Sequence, residues 1–170
     1  MIVLILDGYN VIHAVPEMSR HLDRSLQAAR EALIRLCQAY RARRGDIERL
    51  YVVFDGREAE AFGSSAQQQG GVTVLFTERP EEADARILRV IEERGRGRCV
   101  VVSNDNEVAN NARAFGARIL SAQAFYHQAH PVKTSHRHSP ADVEKATLPT
   151  RDAQQITDEY RQHLETGGSK

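Results

Sequence analysis

Ile2-Val3-Leu4-Ile5-Leu6-Asp7-Gly8-Tyr9-Asn10 decides how this chain folds. Five consecutive apolar residues without polar alternation describe a strand buried on both faces, the habit of parallel sheets. The run closes on Asp7, followed at once by the turn-forming pair Asp7-Gly8. The same arrangement returns at Tyr51-Val52-Val53-Phe54, which closes on Asp55, and at Val100-Val101-Val102, with Asp105 three residues on. If these runs are neighbouring parallel strands, their carboxyl ends share one edge, where ligands of open α/β sheets bind. Carboxylates gathered there repel each other unless a cation sits among them. That points to a divalent-metal site and to phosphate chemistry.

Working outward, residues 2–6, 50–54, 72–76, 99–103 and 117–120 read as strands, and helical periodicity fills most gaps between them. A helix is expected from about Arg24 to Arg43, with Leu26, Ala29, Leu33, Leu36, Cys37 and Tyr40 on one stripe and Gly45 beyond its end. A second runs from Pro80 to about Arg94, bounded by Gly95. A third spans about Asn106 to Phe115, and a short fourth runs from near Ser121 to near Gln128. Alternating strands and helices imply right-handed crossovers and a mostly parallel sheet of about five strands, covered on both faces. Residues 56–71 lack an apolar period and read as a loop over the shared edge. Residues 129–149 are polar, with prolines and clustered histidines, and read as a linker. A last helix is expected from about Thr150 to Glu165, within a tail reaching residue 170.

The 170 residues suit one domain with its own core; 41% are hydrophobic and 27% charged, as in globular proteins. No apolar run approaches the roughly 20 residues of a membrane-spanning helix, and no signal-peptide pattern follows Met1. Cys37 and Cys99 sit in apolar contexts and read as buried thiols, which suits a cytoplasmic location. Net charge is zero, so the total says nothing about an anionic partner. Lysine is confined to Lys133, Lys145 and Lys170, so arginine supplies nearly all positive charge, and from Arg20 to Arg49 it outnumbers the acids. Arginine suits bidentate phosphate contact, although a GC-rich genome produces the same bias.

The second helix sharpens the case for a site. Asp84, Ile87, Leu88 and Ile91 fall at i, i+3, i+4 and i+7, so Asp84 shares the core-facing stripe, where a lone charge is costly. Glu81 lies one turn earlier beside it, whereas Glu82 joins Arg86 and Arg89 on the outer face. Each acid also has an ordinary explanation. Asp7 and Asp55 precede glycines in turn pairs, Asp105 or Ser103 can cap the third helix, and Glu81 suits a helix N-terminus. Their shared placement argues for function.

Oxygen ligands unsupported by His or Cys favour Mg²⁺ or Mn²⁺ over zinc. Asn10 and Ser103 are placed to hold a phosphate oxygen or a bound water. Other phosphate sites fail on particular residues. Position 9 is Tyr where a haloacid-dehalogenase phosphatase needs a second acid, and no lysine precedes residue 133 to serve a receiver domain. No glycine-rich phosphate loop follows the first strand. The spacing of His136 and His138 in the linker suits adventitious metal at most.

The ordered set Asp7-Gly8-Tyr9-Asn10, Val53-Phe54-Asp55-Gly56, Phe76-Thr77 with Glu81-Glu82-Ala83-Asp84, and Ser103-Asn104-Asp105 resembles the YacP-like NYN ribonucleases of the PIN-like nuclease group. The likeness covers about residues 1–128. It implies a three-layer α/β/α PIN-like sandwich and a metal-dependent endoribonuclease using Mg²⁺ or Mn²⁺. It carries catalytic and metal-binding roles onto Asp7, Asp84 and Asp105, with Asn10 in support and Glu81 and Asp55 as further matching acids. Some bacterial relatives work on messenger RNA at the ribosome, so RNA and a ribosome are the implied partners. Arg57 and Arg86 are expected to guide RNA, with Ser103 and Asn10 at the scissile phosphate. The competing expectations are a non-catalytic RNA- or ribosome-binding module and a phosphatase or 5′-nuclease acting on DNA.

Overall fold

The structure, a computed structural model, describes residues 1–55, 66–77 and 80–130, with only the backbone at 80–82. These residues lie within one compact unit, residues 1–132. Arg57, the Glu81 side chain, the histidine-bearing segment from residue 131 and the expected last helix lie outside the described residues.

Six strands form one sheet: β1 (Ile2–Asp7), β2 (Ile47–Asp55), β3 (Ala66–Gln69), β4 (Val72–Thr77), β5 (Cys99–Val102) and β6 (Arg118–Leu120). Their order is β3-β4-β2-β1-β5-β6, parallel except for β3. The opening run is the innermost strand of the parallel part, with β2 on one side and β5 on the other. Its side chains divide by alternation. Leu4 and Leu6 enter the core beneath one layer of helices, and Val3 and Ile5 enter the core beneath the other.

The helices are α1 (Gly8–Ala14), α2 (Pro16–Ser19), α3 (Leu26–Ala42), α4 (Pro80–Arg94), α5 (Asn106–Ala114) and α6 (Ala122–Ala129). Residues of α1, α2, α3 and α6 pack into the first core, and residues of α4 and α5 into the second. The chain winds outward from β1 through β2 to β4, then returns to lay β5 and β6 on the other side of β1. Right-handed crossovers in opposite directions place their helices on opposite faces, which yields the three layers. The reversal lies between β1 and β5, and ligands of such sheets bind outside the carboxyl ends at that point.

Several expectations are corrected. The sheet has six strands instead of five, because Ala66–Gln69 pairs antiparallel with β4 across a Gly70-Gly71 turn. Its glutamines carry no apolar alternation, since an edge strand is held by backbone bonds to β4. The segment after Asp7 is a helix where a turn was expected. Val11 and Ile12 are fully buried, each contributing roughly 1.5–3 kcal/mol, which sustains a helix too short to stand alone. Ala29, Leu33, Cys37 and Tyr40 of the expected α3 stripe are buried, and the stripe is wider than expected on one side. Arg30 and Ile34 are buried on it, whereas Leu26 is 39% exposed. The supposed linker begins too early at residue 129, because Ala129 is buried within α6.

Candidate active site

Four acids arrive at the carboxyl edge from four different elements. Asp7 ends β1, Asp55 ends β2, Asp84 lies in the second turn of α4, and Asp105 caps α5. They share a cavity of about 510 Å³ with Tyr9, Asn10, His13, Ala83, Glu107, Val108 and Asn111. Strand register sets the convergence. Leu6 pairs with Val102, so Asp7 sits beside Ser103, while Asp7 pairs with Val53, two residues short of Asp55. The four expected acids thus meet around one cavity. Among the described residues no three of them stand close enough to enclose one ion.

Asp7 is held on both oxygens. Its Oδ1 accepts the Asn10 backbone N–H at 3.4 Å, and its Oδ2 accepts the Ser103 hydroxyl at 3.1 Å. Burial nevertheless lifts its pKa from 3.8 to about 6. The Ser103 and Asn10 bonds oppose that rise, and the charges of Asp84 and Asp55 add to it. Asp84 is likewise shifted upward, first by desolvation and then by Asp105, Glu107 and Asp55. The charged forms of Asp7 and Asp84 are disfavoured here, and a cation beside them would relieve that cost. The all-oxygen donors therefore fit Mg²⁺ or Mn²⁺.

The ordinary explanation of Asp105 also holds, because its Oδ1 accepts the backbone N–H groups of Glu107 at 2.7 Å and Val108 at 3.3 Å. Asp7 caps α1 in the same way. Capping and facing the cavity are compatible, since a helix beginning at the sheet edge directs its N-terminus there.

Ser103 differs from its expected place at the phosphate. It is 2% exposed, and its hydroxyl donates to Asp7 while accepting the Asp105 N–H at 3.0 Å. It ties two acids together from behind. Asn10 lines the cavity as expected, and its Oδ1 accepts the Asn104 N–H at 2.7 Å, which orients the amide. Asn104 in turn accepts the Ala122 N–H at 2.9 Å and donates to Gln123, whose amide donates to the Ala14 carbonyl at 2.9 Å. This circuit joins α1, α6 and the loop before α5. Arg86 is half-buried on α4 and is absent from the cavity wall, because two residues along a helix from Asp84 is nearly the opposite face.

Tyr9, His13, Glu107 and Asn111 were not expected in the wall. Had residues 8–14 been read as a helix, the i, i+3 spacing of Asn10 and His13 would have placed both on one side. Glu107 and Asn111 carry the corresponding i, i+4 signal on α5. Tyr9 is braced from the core side by Arg30, whose guanidinium donates to the Tyr9 hydroxyl and lies 5.2–5.7 Å from the ring centres of Tyr9, Phe54 and Phe76.

Known proteins resemble this chain in sequence and fold. The uncharacterized protein YacP of Bacillus subtilis (strain 168) is 34% identical over 92 residues, covering 54% of this chain and 52% of that protein. The chain thus spans about half the length of that curated relative. The crystal structure of Rae1 (YacP) from Bacillus subtilis superposes with a TM-score of 0.60 at 26% identity, over 97% of this chain and 93% of that one. A mutant of the same protein gives a TM-score of 0.61 at 27% identity, over 75% of this chain and 73% of that one. Residues 4–167 match the YacP-like NYN domain, so the resemblance extends past residue 128, where the motifs had ended it. The chain belongs to the YacP-like NYN domain family.

Proposed function

We propose that this chain is a metal-dependent endoribonuclease that hydrolyses RNA phosphodiester bonds, with messenger RNA on the ribosome as its candidate substrate. The observation that carries the reading is the convergence of Asp7, Asp55, Asp84 and Asp105 from four elements on one cavity. Asp7, Asp84 and Asp105 would hold a Mg²⁺ or Mn²⁺ ion, with Asp55 and Glu81 as further donors. When bound, that ion supplies Lewis-acid polarisation of a phosphoryl oxygen and acidifies a water.

The remaining work belongs to the chain. Asn10, its Oδ1 fixed by Asn104, presents its amide group to a phosphate oxygen in the cavity. Ser103 holds Asp7 in one orientation and leaves its other oxygen to the Asn10 N–H. In the ion-free protein burial lifts the Asp7 pKa to about 6, and a cation bound there would favour its charged, ligating form. His13 and Tyr9 complete the wall beside Asn10 and are suited to the sugar or base of the bound strand. Single-stranded RNA incubated with Mn²⁺ tests the reading. Cleavage should require the ion, stop with chelator, and fall at least a hundredfold in Asp84→Asn. Equal cutting by that variant would refute the assignment.

A binding module without catalysis is the second reading. It is favoured by the spacing of the acids, no three of which enclose an ion among the described residues. RNA retained equally with and without chelator, and never cut, would decide for it.

A further inference from the structure

The zero net charge of this chain hides a separation of charge along the strands. At the carboxyl edge the described cavity wall holds Asp7, Asp55, Asp84, Asp105 and Glu107 with no lysine or arginine. Five arginines gather at the amino-terminal edge beyond β5 and β6. Arg94 ends α4, Arg96 and Arg98 occupy the loop before β5, Arg113 lies in the last turn of α5, and Arg118 opens β6. All five residues are exposed.

Backbone contacts place the two arginine-bearing loops side by side. The Val3 N–H donates to the Arg98 carbonyl at 2.9 Å, and the Gly97 N–H donates to the Gly116 carbonyl at 3.0 Å. Gly97 has φ +82°, a left-handed conformation that favours glycine. A Cβ on Gly116 would lie 3.2 Å from the Arg96 Cβ, so these loops are in contact. Arg118 pairs with Val100, two residues into the chain beyond Arg98.

Little within the described protein neutralises this group. The ion pairs among the described residues are Arg35 with Glu31 and Arg44 with Asp46, and neither involves the five. Arg113 donates to the Asn110 side chain, and Arg94 lies 5.6 Å from the Tyr51 ring centre. The acids closest in sequence, Glu92 and Glu93, lie exposed on α4. Like charges kept together at a surface favour a polyanion. The carboxylate edge repels phosphate, so a nuclease of this design needs its attraction elsewhere.

We infer that the arginine pole is an anchoring surface for RNA backbone, separate from the catalytic cavity. The inference rests on the ribonuclease reading for its choice of polyanion. Arg98 and Ser103 stand five residues apart along β5, roughly 17 Å at the strand repeat. One RNA strand touching both poles must therefore run over at least about three to five nucleotides, at roughly 3.4 Å each when stacked and up to about twice that when extended. Planar guanidinium groups suit its phosphates in a bidentate way.

The test uses the full chain, chelator, and a labelled structured RNA of about 60 nucleotides, with binding followed by anisotropy across a salt series. Changing Arg96, Arg98 and Arg118 together to Ser removes three cations, so the log–log salt slope should shrink by about two. At 0.1 M salt the affinity should fall roughly ten- to a hundredfold, and Arg→Lys at the same positions should retain most of it. Cleavage of a dinucleotide with Mn²⁺, too short to reach the pole, should be unchanged by the Ser variant. An unaltered slope and affinity would overturn the inference. So would competition by polyglutamate as effective as by RNA, which would mark the pole as a site for an acidic protein. Absence of cleavage by the wild type would overturn the ribonuclease reading alone, because anchoring is measured without catalysis.

Discussion

Asp7 bears opposing demands: it caps α1, accepts the Ser103 hydroxyl and faces three other acids while largely buried. Its folded pKa, about 6 against an ordinary 3.8, sets the sign of a pH effect. Between those values the folded state keeps a proton that the unfolded state has lost. Asp7 therefore contributes stability that is fully present below pH 3.8 and is lost as pH rises through 6. The displacement corresponds to about 3 kcal/mol. Thermal denaturation in chelator should accordingly show greater stability at pH 5 than at pH 7.5, and Asp7→Asn should flatten the difference. A wild type less stable at pH 5 would contradict this account. Ser103→Ala removes the bond that restrains the shift, so in the ion-free protein the Asp7 pKa should rise further above 6. Carbon-detected NMR titration of the Asp7 carboxyl in chelator would measure it directly. The acids were legible in the sequence because strand ends are: an apolar run that stops on a carboxylate needs no partner to be noticed. Ser103 was noticed for the wrong duty, since which way a hydroxyl turns depends on a strand far away in the chain. Arg30 was invisible, because its partners Tyr9, Phe54 and Phe76 come from three other elements.

Helices and strands followed from periodicity wherever they bury a long stripe, as α4 and α5 do, and failed where tertiary contacts replace periodicity. β3 is the clearest failure, a row of glutamines made a strand by its neighbour. α1 is the more instructive one. Seven residues opening on Gly8 have little helical tendency, yet the helix must begin there because Gly8 lies against β2. A Cβ at that position would meet the Phe54 ring at 2.4–2.5 Å and the Val53 carbonyl oxygen at 2.9 Å. Gly8→Ala should therefore cost about 1–3 kcal/mol, the range for an overpacked core, and should displace Asp7 and Asn10 together. Urea denaturation gives the first effect, and loss of activity greater than the loss of folded protein gives the second. The joint between α1, α6 and the loop before α5 offers a complementary test. Asn104→Ala leaves the Ala122 N–H without its side-chain acceptor while keeping the Asn10 contact, which is to the Asn104 backbone. Stability should fall by about 1 kcal/mol, with a smaller catalytic effect than Asn10→Ala.

The whole molecule places its functional edge by topology. The sheet reverses direction between β1 and β5, and Asp7 and Ser103 follow those two strands directly. That reversal could be anticipated from alternating strands and helices, but the side of β1 on which β5 lies could not, because no local pattern reports strand order. The same topology separates charge, with acids at the carboxyl edge and arginines at the other, so repulsion within the acid group is built into the apo fold. A divalent ion should relieve it. Ligand binding to the folded state alone stabilises by RT ln(1 + [L]/Kd), about 2.7 kcal/mol at a hundredfold excess over Kd. For a chain of this size that corresponds to roughly 5–10 °C in Tm. Mn²⁺ at pH 7.5 should therefore raise the wild-type Tm by several degrees and weaken its dependence on pH, since an ion-bound carboxylate no longer holds the extra proton. In Asp84→Asn the apo protein should melt no lower than the wild type, because a like charge is gone, while the response to Mn²⁺ should shrink. NaCl at equal ionic strength separates a filled site from general screening, which would act equally in both proteins. A Tm unmoved by Mn²⁺ in the wild type, under conditions where RNA is cut, would show that the four acids serve the reaction without holding an ion in the free protein.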